Sequence, residues 1–337
     1  MTKYCVYITN KYSKYNTKMS MFVSFLIFIF ILFLYIHVTA QYKKSEDLEI
    51  YEADYLSNTN LQEICDVRQP VLYDFKNVVP ELLEGLDLDQ MMALSKKSSV
   101  DVHVRDIIDI RNGPFDLGSD SVPLPLESAV GLFDTDDKSR FFSDKNDEFV
   151  QETLDTFYRP MDLFLKPPMV VQTKYDLLFG SMGAYTPLRY HTDYRRFIMV
   201  QSGKIQIKMT PWKSRKWLYP ENDYVSYEFR SPVDVWNTQD KYLNDLENLK
   251  FLEFEVMEGF LVYIPPFWFY SIKYVQGNAN DHKVPIVFGF TYNSAVNVLA
   301  NLPQWGMYFL QQHNMKEKTI KTKKLDNDDE ESVETDE

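Results

Sequence analysis

The chain has 337 residues, a formal net charge of -13 and an aromatic content of 15%, with 24 Phe and 23 Tyr. Its two cysteines, Cys5 and Cys65, lie on opposite sides of a long apolar run, which excludes an internal disulfide scaffold for the part that follows. No basic stripe crosses the sequence, so no nucleic acid is expected as a partner, and eight acidic residues between Asp326 and Glu337 carry much of the negative charge.

Residues 1–18 form a basic N-terminal region with Lys3, Lys11, Lys14 and Lys18 and no acid. Met19 to Tyr42 then contains no Asp, Glu, Lys or Arg. About 20 such residues cross a bilayer as a helix, in which every backbone group is satisfied internally. Residues 19–40 are therefore expected to span a lipid bilayer once. The lysine bias puts the N-terminus in the cytosol and the large domain across the membrane. Val38-Thr39-Ala40 before Gln41 also fits a signal-peptide cleavage site, which would give a secreted protein instead.

Residues 41–60 are polar and acidic and read as a stalk. Pro70 to Phe75 reads as a strand, Val79 to Lys97 as a helix and Ser99 to Ile107 as an alternating strand. Asn112 to Pro125 is rich in turn residues and reads as a loop; Glu148 to Phe164 reads as a helix. After Pro168 the pattern changes to short strands. Met169 to Phe179 is one. Phe197 to Gln201 and Lys204 to Met209, joined at Ser202-Gly203, read as a hairpin. Leu252, Phe254 and Val256 alternate with Glu253 and Glu255, Gly259 breaks the run, and Phe260 to Ile264 resumes it. Val284 to Tyr292 is a further apolar strand and Asn301 to His313 a closing helix. Residues 314–337 carry basic and then acidic blocks and are expected to be a disordered tail. The expected fold is mainly β with flanking helices (α+β), a sandwich or barrel.

His191-Thr192-Asp193 is an H-x-D triplet. On an extended strand, residues two apart point the same way, so His191 and Asp193 can offer two ligands to one face of an Fe(II) ion. The same alternation puts Arg189 and Arg195 on that face, where Asp193 would instead neutralise arginines. Context bears on the choice. Leu177-Leu178-Phe179-Gly180, Gly183 and Thr186-Pro187-Leu188 precede the triplet; Gln201-Ser202-Gly203-Lys204, Ser231-Pro232-Val233-Asp234, Asn237 and Tyr242 follow it. Then comes Gly259-Phe260-Leu261-Val262-Tyr263-Ile264-Pro265-Pro266-Phe267-Trp268, and upstream lies Gln69-Pro70-Val71-Leu72. In order and spacing this series resembles the JmjC-like (cupin-8) oxygenases of the factor-inhibiting-HIF type, over residues 61–313. The resemblance implies a double-stranded β-helix (cupin or jelly-roll) domain.

The resemblance also implies a site that this chain departs from. The family's distal histidine falls at Tyr270. A neutral phenol is a poor Fe(II) ligand, and none of His37, His103, His282 and His313 lies where a replacement is expected. Counted without gaps from Thr186-Pro187, the family's His and Asp fall on Arg189 and His191, and only a two-residue shift restores His191 and Asp193. Thr186 and Lys204 are the candidate cosubstrate-binding residues, yet the lysine expected two residues after Gly203 is replaced there by Ile205. The expected function is a membrane-anchored, non-catalytic binding or structural module with a degenerate iron site, no cofactor and an unidentified protein partner. The alternative is an Fe(II)- and 2-oxoglutarate-dependent protein hydroxylase with atypical ligands.

Overall fold

The computed structural model describes residues 2–79, 86–112, 121–224, 226–275 and 284–314. The loop 277–283 with His282, most of the loop at 112–125 and the tail from 315 lie outside these, as do residues 80–85 of the helix expected at 79–97. The chain opens with one helix, Thr2–Gln41, whose segment Ser20–Gln41 is apolar and long enough to cross a membrane or to act as a signal sequence.

Fifteen strands among the described residues make two sheets. The nine-stranded sheet runs β1 (Tyr51–Asp54), β2 (Val71–Asp74), β13 (Phe260–Ile264), β8 (Arg195–Ser202), β15 (Ile286–Ser294), β6 (Val170–Gly180), β5 (Phe141–Ser143), β3 (Val102–Asp106), β4 (Val122–Leu124). The six-stranded sheet runs β10 (Glu221–Asp223), β11 (Glu228–Arg230), β7 (Arg189–Tyr190), β14 (Phe269–Val275), β9 (Lys204–Thr210), β12 (Leu252–Met257). All pairings are antiparallel except β1 on β2.

Side-chain alternation explains the layers. On β8, Ile198 and Val200 face the second sheet, whereas Phe197 and Met199 face the helices. On β15, Val287 packs between the sheets while Phe288, Phe290 and Tyr292 meet the helical layer. The strand is buried on both faces, which is why Ile286–Ser294 reads as an almost unbroken apolar run. The inter-sheet core adds Ile205, Ile207 and Met209 from β9 and Ile272 and Tyr274 from β14. The outer face of β9 carries Lys204, Gln206 and Lys208. Lys204 pairs with Glu255 at 2.9 Å and Gln206 with Glu253 at 2.8 Å on β12.

Three expectations are corrected. Phe197–Gln201 and Lys204–Met209 do not form a hairpin: β8 pairs with β13 and β15, whereas β9 pairs with β12 and β14 in the other sheet. Gly203, at φ +78°, is a corner where the chain changes sheets. Both edges of each strand already have partners, so a tight turn carries the chain across the core rather than back along its neighbour. Second, the stalk read at 41–60 includes β1, paired along β2, and the start of the helix Asn58–Cys65, capped by Ser57. Third, the loop at 112–125 includes β4, paired with β3. The helix expected at 148–164 is present as a helical run whose middle, Val150–Leu154, is a π turn.

Candidate functional site

His191 follows the two-residue strand β7, on the connector that carries the chain from the six-stranded sheet to β8 in the other. The H-x-D triplet is thus in a crossing, not within a strand. His191 is 4% exposed. Its Nε2 lies 3.1 Å from the Ile264 carbonyl. A carbonyl only accepts, so Nε2 carries the proton and donates, which leaves the Nδ1 lone pair unpartnered. That Nδ1 sits 3.6 Å from Oδ2 of Asp193. Burial pulls the imidazole down to about 3, against the pull of Asp193, so the ring is neutral at ordinary pH. Asp193 accepts from Asn293 Nδ2 at 3.0 Å, and Arg196 Nη1 approaches it at 3.8 Å.

Tyr270 is buried on β14, opposite Arg189 of β7 and Met209 of β9. Its ring centroid is 6.2 Å from that of His191, edge to face. The guanidinium carbons of Arg189 and Arg196 each lie 5.8 Å from the same ring. An Fe(II) facial triad takes three donors. Among the described residues no group of three His, Cys, Asp or Glu side chains could hold a metal. Tyr270 is the aromatic neighbour of His191.

His191 and Asp193 line a cavity of about 250 Å³ with Lys174, Tyr175, Asp176, Arg196, Tyr227 and Thr291. Its floor is a buried ion network that the sequence does not announce. Arg105 donates to Asp144 at 3.0 Å and to Glu228 at 3.0 Å. Arg189 donates to Asp144 at 2.5 Å, and Lys145 to Glu228 at 2.8 Å. Burial alone would raise the Asp144 carboxyl, but Arg105 and Arg189 outweigh it and hold it at about 2. Glu228 is held well below the usual range in the same way, by Arg105, Lys145 and Arg189 against burial. Asp176 goes the other way. Burial, with Asp144 adding to it, outweighs the backbone donors of Asn146 and Lys145 and the pull of Arg196, and pushes it to about 6. The network joins β3, the end of β5, β7 and β11, four elements far apart in the chain, so no local pattern marks it.

Not every sequence candidate converges here. Arg195, read as sharing the His191 face, turns the other way and pairs with Asp66 and Gln62 at the Asn58–Cys65 helix; the change of sheet breaks the alternation. Lys204 stands on the outer face of β9 with Glu255 and does not line the cavity. Thr186 is tied to β14, its Oγ1 accepting from Ile272 N at 3.0 Å. It borders a separate cleft of about 390 Å³ with Arg111, Tyr185, Asp234, Trp236 and Tyr242. Trp268 is buried in the inter-sheet core, whereas Trp212, Trp217 and Trp236 are half-buried. The cavity residues that the sequence reading missed, Lys174, Arg196, Tyr227 and Thr291, come from different strands and loops. No family model matches this chain, and no curated protein matches it.

Proposed function

We propose that this chain is a membrane-anchored JmjC-like cupin whose domain is a double-stranded β-helix, and that it works as a binding module whose iron centre is disabled. The strand order supports the fold. β6, β15, β8 and β13 are neighbours in one sheet, β7, β14, β9 and β12 in the other, and the chain alternates between the two sheets from β6 to β9 and again from β12 to β15. The N-terminal helix, placed in a bilayer, is the anchor, with the lysines before it on the cytosolic side.

The observation that carries the loss of iron chemistry is the side chain beside His191. With its Nε2–H fixed on the Ile264 carbonyl, His191 could still ligate through Nδ1, but the third corner is a tyrosine, not a histidine. Loss of one ligand from a three-ligand centre normally abolishes it. What remains is a polar cavity with an unpartnered Nδ1, the Asp193 carboxylate and the Arg196 and Lys174 cations, suited to a small polar group or the side chain of a protein partner.

The test is anaerobic Fe(II) titration of the purified full chain in detergent, followed by an assay for 2-oxoglutarate consumption. The expected result is no stoichiometric iron and no turnover. One Fe(II) per chain together with 2-oxoglutarate consumption would make the protein a hydroxylase with atypical ligands and overturn this reading.

A further inference from the structure

The helix Leu302–Asn314 is amphipathic in an unusual sense. From Ala295 to Asn314 the chain has no Asp, Glu, Lys or Arg. Its inner side turns Trp305 and Tyr308 toward the domain, where Trp305 stacks on Tyr227 at 5.2 Å. Its outer side leaves Leu302, Met307, Phe309 and Leu310 exposed, Phe309 at 56% and Leu310 at 59%. Leu299, on the helix Ala295–Ala300 just before it, continues the exposed apolar surface. A soluble domain rarely presents so much contiguous apolar surface without a partner.

The structure says where that face sits. The N-terminal helix packs on Ala295–Ala300. Along its last turns only Leu34, Val38 and Gln41 are partly covered, the i, i+4, i+7 stripe of one helix face. Just beyond, the Tyr42 hydroxyl donates to the Ala300 carbonyl. Leu34 to Gln41 rises about 10 Å along a helix axis. The helix Ala295–Ala300 therefore stands beside the end of the apolar segment rather than beyond it, and Leu302–Asn314 continues from there. The segment after the apolar helix is also held against the domain. Lys44 Nζ lies 4.4 Å from the Trp212 ring, Lys213 donates to the Glu46 carbonyl at 2.8 Å, and Gln69 donates to Asp47 at 3.2 Å. In sequence, Lys316, Lys318, Lys321, Lys323 and Lys324 follow the helix with only Glu317 among them.

We propose that Leu302–Asn314 is an interfacial helix, its outer face bedded in the same bilayer that the N-terminal helix crosses. The occupant is a lipid surface, and the inference rests on the anchor reading above. An exposed apolar face adjoining the end of a membrane helix gains by burial at the headgroup boundary, where binding strength scales with the apolar area buried. The domain is then held flat on the membrane at two points. The same helix walls a second cavity with Trp305 and Tyr308, which shares Lys174, Thr192, Asp193 and Tyr227 with the His191 cavity. The candidate site thus lies one helix away from the bilayer.

The test uses the full chain reconstituted into vesicles of phosphatidylcholine and phosphatidylserine, with p-benzoylphenylalanine in place of Phe309 in one sample and of Phe28 in another. After irradiation, mass spectrometry reads the adducts. Lipid adducts at both positions are the expected result. A lipid adduct at Phe28 with none at Phe309 overturns the interfacial helix and leaves the anchor standing. An adduct from Phe309 to a second copy of the chain also overturns it, in favour of a dimer face. No lipid adduct at either position overturns both readings.

Discussion

Around His191 the polar side chains are mostly committed to one another. Asp193 is shared between Asn293 and Arg196, Arg189 is held by Asp144, and Nδ1 of His191 is left without a hydrogen-bond partner. Replacing the neighbouring phenol by an imidazole, Tyr270→His, supplies a third donor beside the His191 nitrogen and the Asp193 carboxylate. Fe(II) affinity of the full chain should rise at least about tenfold, the scale on which ligand-shell changes act; an unchanged titration would show that Nδ1 of His191, the Asp193 carboxylate and the new imidazole do not converge on one point. The ion network beneath is a matter of stability. Arg105 holds two buried carboxylates, so Arg105→Met leaves Asp144 and Glu228 under-compensated and should cost about 3–5 kcal/mol in urea unfolding. A loss below about 1 kcal/mol would mean that water or Lys145 takes over. Asp176 behaves in the opposite way. Its folded value of about 6 lies above the ordinary 3.8, so the fold takes up a proton first as pH falls. The stability contribution is complete below the unfolded value and is lost as pH rises through 6. Asp176→Asn is neutral throughout. Relative to the wild type it should gain about 2–3 kcal/mol between pH 4 and pH 8, at ~1.4 kcal/mol for each tenfold difference in proton affinity between the folded and unfolded chain. A pH-independent difference would refute the buried placement of this carboxyl.

Among the elements, the corners decide the architecture. Gly203 and Gly259 both hold positive φ, and each lies where the chain passes between the two sheets. At Gly203 an added Cβ would stand 3.1 Å from Cα of Pro285, at the start of the approach to β15. Gly203→Ala therefore meets a left-handed backbone and a crowded neighbour together, and should lower stability by about 1–2 kcal/mol. Chemical denaturation checks it, and a neutral result would mean that the corner can relax away from Pro285. These corners also explain the hairpin that the sequence suggests and the structure lacks. A two-residue Ser-Gly link between alternating strands fits a hairpin as well as a sheet change. Only the partners available on each side of β8 and β9 choose between them. The π turn at Val150–Leu154 was not legible either: no residue type in the run signals it.

For the molecule as a whole, the N-terminal helix is the feature that bears on location: it is long and apolar enough to be a membrane span or a signal sequence. Its apolar stretch is exposed along almost its full length outside the last turns, with a mean hydropathy of 2.7, which suits lipid rather than a protein core. As an anchor it should remain in the membrane pellet after alkaline carbonate extraction. A soluble, mature form beginning at Gln41 would show that the segment is a cleaved signal instead. The tight seating of Lys44, Glu46 and Asp47 on the domain bears on geometry: no free stalk separates β1 from the end of the helix.

The sequence alone was enough for the features that repeat or stand out locally: the apolar helix, the in-out alternation of Ile205, Ile207 and Met209 against Lys204, Gln206 and Lys208, and the apolar run of β15. In each, one face or one solvent decides the side chains, so the pattern is written along the chain. His191, Asp193 and Tyr270 were also legible as neighbours, through the spacing of motifs that resemble a known family. The buried network of Arg105, Asp144, Arg189 and Glu228, the outward turn of Arg195 and the assignment of β8 and β9 to different sheets were not. Each depends on which distant segments meet across the core, and the free energy that fixes them comes from pairings between residues tens of positions apart, which only the tertiary structure decides.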